Sequence, residues 1–197
     1  MKSRIESVIH CEKEAIETLL SMDMDQYKNI AEEIDKCKGK VVFMGVGKSA
    51  HIGQKLAATF ASLGIPSFFV HSTESMHGDL GMIECDDLVI LMSNSGETKE
   101  VLQTIEPLRK IGSKLIAFTG SQDSSLAKEC DRKLLYPKPV EADVNNLAPT
   151  SSTTMMLVLG DAIACEISEK RKFSRNDFHK FHPGGKLGDI LEQEKER

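Results

Sequence analysis

Five short apolar runs limit what this chain can become: "KVVFMG" (40–45), "SFFVH" (67–71), "LVILMS" (88–93), "KLIAFTG" (114–120) and "KLLYP" (133–137). Each has the length of a strand, and near-continuous hydrophobicity requires cover on both faces. Between them lie "SAHIGQKLAATFASLG", "ETKEVLQTIEPLRKIG" and "SSLAKECD", with helical spacing and polar starts. The first two end on Gly64 and Gly112, as helix C-caps often do. Strands alternating with helices predict a parallel sheet with helices on both faces.

The first 37 residues carry two amphipathic patterns instead, at 3–22 and 24–36. The fold class expected is therefore α/β: a flavodoxin-like, doubly wound, five-stranded parallel sheet with N-terminal amphipathic helices. Ligands in such a sheet sit beyond the C-terminal strand ends, at the switch point. The stretch "TTMMLVLGDAIACEI" after Pro149 predicts a long buried helix, its methionines filling core, and the final "EQEKER" a solvated tail. No repeat or linker interrupts the chain. One domain is expected over 1–197, with N-terminal helices in 1–37 and an α/β core in 38–190.

At 197 residues the chain can bury a full core, and 40% hydrophobic against 28% charged residues suits a globular protein. A net charge of -5 argues against a general nucleic-acid binder, but leaves room for a local site for phosphorylated metabolites. Five scattered cysteines without a CxxC pair suit reduced thiols in a cytoplasm. No apolar run approaches membrane-spanning length, and the N-terminus is too charged for a signal peptide. The expectation is a soluble cytoplasmic protein with no membrane partner.

The first strand runs into "GVGKSAHIG". A nucleotide P-loop needs glycine five residues before Gly47, where Val42 stands inside the strand. Gly45, Gly47 and Ala50 do satisfy a loose dinucleotide fingerprint, but no acidic residue closes the second strand at Val70-His71-Ser72. What remains is an anion site at a helix start, with Gly47, Lys48 and Ser49 as candidates. The third strand enters "SNSGETKE", which brings Ser93, Asn94, Ser95, Gly96 and Thr98 to a second helix start. "APTSSTT" (148–154) adds Ser151, Ser152 and Thr153 before the apolar helix. N-capping accounts for one hydroxyl in each segment but not the whole set. Together these segments predict a phosphate pocket on one edge of the sheet.

"GVGKSAHIGQKLAATFASLGIPSFFVH", "HGDLGMI", "SNSGET", "LAPTSSTT", "GDAIA" and "FHPGGKLG" follow an order and spacing that resemble the arabinose-5-phosphate isomerases of the sugar isomerase (SIS) superfamily. "SGET" alone would mark only an SIS-type domain; the other motifs narrow the match. The resemblance covers residues 38–190. It implies a flavodoxin-like fold and interconversion of D-arabinose 5-phosphate with D-ribulose 5-phosphate, whose product feeds the acidic sugar Kdo of lipopolysaccharide and some capsules. It also implies a homotetramer or dimer with shared active sites, the N-terminal helix packing between subunits. Many members continue into cystathionine-β-synthase-type modules; these are expected to be lacking, since the chain stops soon after "GGKLGDIL".

Such an isomerisation must open the sugar ring, move a proton between C2 and C1, and move another between O1 and O2. In the resembling family the positions matching Lys48, His77, Glu100, Glu141 and His182 are implicated in catalysis. The roles expected are Glu141 or His182 as carbon base, His77 as ring-opening acid or oxygen shuttle, Lys48 for charge, and Glu100 to orient Lys48 or a histidine. No cofactor or metal is required, although His71 with His77 could hold adventitious or inhibitory zinc. Relatives mostly read "HPxEA" and "EACPxxLAPT" where this chain has "HSTES" (71–75) and "EADVNNLAPT" (141–150). Loss of the cysteine and proline is expected to free the backbone at Asp143-Val144. Two other readings stay open: an isomerase of another phosphosugar, such as a hexulose 6-phosphate, and a non-catalytic sugar-phosphate sensor.

Overall fold

A computed structural model describes residues 3–184. The last residues of the expected 38–190 core and the "EQEKER" tail lie outside them. Strands β1 (Val41–Gly45), β2 (Ser67–His71), β3 (Leu88–Met92), β4 (Lys114–Thr119) and β5 (Arg132–Leu135) form one sheet of order β2-β1-β3-β4-β5, with every pairing parallel. That order reverses direction at β1 and β3. The register places Gly45 beside both His71 and Met92, so all strand ends form one rim.

Helices cover both faces. One face packs Val41, Phe43, Ile90, Ile116 and Phe118 under α1 (Arg4–Thr18), α2 (Met24–Asp35), α3 (Gly47–Ser62) and α8 (Ser151–Lys170). The alternate residues Val42, Met44, Val89, Leu91 and Leu115 pack under α5 (Lys99–Leu102), α6 (Ile105–Ile111) and α7 (Ser125–Glu129). Two-residue periodicity thus feeds both cores from the same strands. Short α4 (Ser72–Ser75) follows β2, and α9 (Arg175–Phe181) closes the described chain.

Three expectations need correction. The first predicted helix ends at Thr18, and Leu19–Ser21 tighten into a 3-10 turn. The helix expected over 97–112 breaks after Leu102 and restarts at Ile105. Pro107 explains the break: it lacks an N–H, and its ring would crowd the carbonyl of Gln103 in a continuous helix. Restarting at Ile105 puts the proline in a first turn, where its missing donor costs nothing. Helix α9 was not foreseen, although Ser174 and Asp177 form a capping box at its start.

Helices α3 and α8 run side by side from the rim to the opposite edge, tied by Lys55 and Asp161 at 2.5 Å. Where they cross, a Cβ on Gly160 would lie 2.5 Å from Leu56 Cδ2, a buried residue that cannot swing away. Gly160→Val should therefore lower the thermal midpoint by roughly 3–10 °C, read by circular dichroism, because overpacking costs about 1–3 kcal/mol. At the far edge, Glu33 of α2 pairs with Lys114 and Arg132, and Asp35 with Lys170 and Arg171. No helix among the described residues is long and apolar enough to cross a membrane.

Candidate active site

The loop after β3 is shaped by its own polar groups. Ser93 Oγ and Thr98 Oγ1 lie 2.8 Å apart, and the Gly96 N–H donates to Ser93 Oγ at 3.0 Å. Gly96 has φ 68°, and a Cβ there would collide with the Ser124 hydroxyl. Only glycine combines that backbone with that contact. The Asn94 carbonyl accepts from Gly120 N–H and Thr119 Oγ1, which joins the loop to the end of β4. Glu97 accepts from the Ser125 N–H, an interaction that lowers its pKa below the ordinary carboxylate value.

These bonds leave the backbone N–H groups of Ser95, Thr98 and Lys99 without a hydrogen bond among the described residues. The hydroxyl of Ser95 is at the surface, where it also accepts from the Glu97 N–H. A loop with unspent amides at a strand end can take a phosphate. Asn94 is used differently from the expectation: its Oδ1 accepts from Tyr136 Oη at 2.9 Å. Burial, then the nearby Glu141 carboxylate, raises the Tyr136 phenol far above its ordinary value, so it stays a proton donor. Sequence reasoning missed Tyr136 and Ser124, the two side chains that hold this cradle; a tyrosine closing the last apolar run was the available signal.

Beside it, across the switch point, Gly47 opens α3 with φ 58°. Lys48 is exposed and has no ion pair among the described residues, while Ser49 is half-buried. His77 and Glu100 are both exposed on the same rim. Helix α4, just before the "HGDLG" turn, packs on α5, which carries Glu100. Among the described residues Glu100 makes no hydrogen bond to Lys48 or a histidine, so the orienting role expected of it is not seen here. His71 Nδ1 and the fully buried Ser72 hydroxyl have no partner among the described residues. Nor, among these residues, do three His, Cys, Asp or Glu side chains converge as a metal site.

The "APTSSTT" hydroxyls do not behave as a set. Ser151 Oγ donates to Glu12 Oε1 of α1 at 3.1 Å, and Thr153 Oγ1 donates to the Thr150 carbonyl at 2.8 Å. Ser152 Oγ is buried, with no partner among the described residues. The reason is a carboxylate: Glu141 Oε2 accepts from the N–H groups of Thr150 (2.7 Å) and Ser152 (3.2 Å), at the start of α8. Nor is the backbone at Asp143-Val144 freed. The Asp143 carboxylate accepts from the N–H groups of Asn145, Leu147 and Ala148, which lower its pKa.

His182 lies elsewhere. Its imidazole stacks on Phe178 with centroids 3.8 Å apart, and Nε2 is 3.3 Å from Ser62 Oγ, at the C-terminal end of α3. Gly47 and Ser62 are the first and last residues of that helix, roughly 22 Å apart at 1.5 Å per residue. Within one chain, then, His182 is not brought to the rim that holds Lys48, His77 and the cradle. Its Nδ1 lies 3.0 Å from the Phe178 carbonyl, which can only accept. In the neutral ring that contact places the proton on Nδ1 and makes Nε2 the acceptor, facing the Ser62 hydroxyl.

Comparison with known proteins gives consistent relatives. The family profile described as SIS domain matches residues 33–165. An arabinose 5-phosphate isomerase KpsF of Escherichia coli is 48% identical over 170 residues, 86% of this chain and 54% of that protein. An arabinose 5-phosphate isomerase KdsD of Shigella flexneri is 50% identical over 182 residues, 90% of this chain and 56% of that protein. The chain spans about half the length of the curated relatives it matches. A solved structure from E. coli CFT073, c3406 in complex with arabinose 5-phosphate, superposes with a TM-score of 0.89 at 52% identity, covering 91% of this chain and 95% of that one.

Proposed function

This chain belongs to the SIS domain family, and from that premise we propose that it is an aldose–ketose isomerase of D-arabinose 5-phosphate and D-ribulose 5-phosphate. The observation that carries the reading is the 52% identity to a chain solved with arabinose 5-phosphate, 95% of which is covered. It is matched here by unspent amides and an exposed lysine on one rim. The phosphate is held by the 93–98 cradle and the start of α3. The sugar then lies across the switch point toward Lys48 and His77.

In the open-chain aldose a base takes the C2 proton, and the electron pair moves into the C1–C2 bond to form an enediolate. Lys48 offsets the charge gathering on oxygen. The proton returns to C1, while His77 exchanges the hydroxyl proton between O2 and O1. His182 suits the carbon base, since Nδ1 is engaged by the Phe178 carbonyl and Nε2 faces away from it. Its place at the far end of α3 favours supply by a second copy, with a homodimer or homotetramer as the active unit. The substrate is a small phosphosugar, the enzyme is cytoplasmic, and the aldose formed in the reverse direction, D-arabinose 5-phosphate, serves Kdo synthesis.

Incubation with D-ribulose 5-phosphate in heavy water tests the reading. Arabinose 5-phosphate carrying deuterium at C2 is the expected product. Deuterium in a different aldose would move the assignment to another phosphosugar. Inorganic phosphate binding without any exchange would make the chain a sensor.

A further inference from the structure

We infer that Glu141 is a positioning residue rather than the carbon base, and that Asn146 sets its position; the isomerase reading above defines what is being positioned. Glu141 is only 9% exposed. Besides the two amides, its Oε2 accepts from Thr150 Oγ1 at 3.2 Å. Thr150 begins α8 and provides no side-chain cap of its own; its hydroxyl also accepts from the Ala142 N–H at 2.8 Å. The cap of this 20-residue helix therefore comes from a carboxylate nine residues upstream. The amides it receives have no other acceptor among the described residues, and the helix dipole favours its charge. Oε2, shared by three donors, is poorly placed to take a proton from carbon, and its bonds hold the carboxylate against the start of α8.

The loop between Glu141 and Thr150 is built around this contact. Asn146 adopts a left-handed backbone, φ 53°, and its Oδ1 accepts from the Glu141 N–H at 2.7 Å. The three amides gathered by Asp143 stiffen the segment between them. From outside, Arg4 of α1 donates to the Ala142 carbonyl at 2.5 Å. Glu141 thus works through the start of α8. Asn146 was singled out by neither motif nor spacing; it becomes visible only once its side chain is seen returning to residue 141.

Three variants test this: Glu141→Gln, Glu141→Ala and Asn146→Gly, the last keeping the backbone conformation while removing the acceptor. The readouts are kcat and KM for D-ribulose 5-phosphate against pH, and the thermal midpoint. Glu141→Gln should lower kcat less than about tenfold, raise KM by no more than that, and keep both limbs of the pH profile, because an amide oxygen still accepts from α8. Asn146→Gly should move KM in the same direction, and Glu141→Ala should lower the midpoint by roughly 2–4 °C. The inference is overturned if Glu141→Gln costs kcat more than about 100-fold and removes the acidic limb, or if Asn146→Gly leaves both KM and midpoint unchanged. Should the wild type show no turnover, the isomerase reading fails by itself, and the midpoints of Glu141→Ala and Asn146→Gly still decide the cap.

Discussion

His182→Ala should lower kcat for isomerisation by about 10²–10⁴-fold, the range of a lost general base, while affinity for inorganic phosphate changes less than about twofold. The prediction follows from two observations that pull apart. The imidazole has a tautomer suited to taking a proton, yet it rests beside Ser62 at the wrong end of α3 for its own cradle. If a second copy receives it, loss of His182 and loss of Lys48 damage different contributions to one composite site. Purified His182→Ala and Lys48→Ala chains, each nearly inactive, should regain activity when unfolded and refolded together. Random pairing makes half the dimers mixed, and each mixed dimer has one intact site of two, so recovery should approach about a quarter of wild-type activity. Full turnover by His182→Ala, or mixed assemblies without recovery, would sink the shared site.

The second large effect belongs to Gly96. Alanine there must hold φ near 68° and place its Cβ 2.5 Å from that of Ser124. The backbone alone costs about 1–2 kcal/mol, and the contact cannot be relaxed without moving α7. Retreat of the loop would separate the amides proposed to meet the phosphate, each charge-assisted bond being worth about 1.5–3 kcal/mol. Titration calorimetry with inorganic phosphate should therefore show affinity lower by about 100-fold. Adding Ser124→Gly removes the clash but not the backbone cost, so the double variant should recover only part of the affinity. Unchanged phosphate binding in Gly96→Ala would mean that this loop is not the cradle.

Sheet and rim were legible because each strand carries its own signal: five apolar runs fall on five strands to within two residues at either end. The position of the 93–98 loop was legible for a related reason, since "SNSGET" is a local segment that directly follows a strand. Interactions that return from a distance were not. Glu141 looks like any carboxylate in a loop until Thr150 and Ser152 bring their amides back to it. His182 has a motif around it, but nothing in "FHPGG" says which end of α3 it will meet. Pro107 was the opposite case, a local signal outweighed by the surrounding helical spacing, and the backbone obeyed the proline.

The short outer strand β5 has a further consequence. Its four residues begin with Arg132, held by Glu33 of α2, and Lys133. A brief, cationic border of this kind is a poor template for another chain's backbone. At this edge of the sheet a second strand would therefore find little ladder to extend.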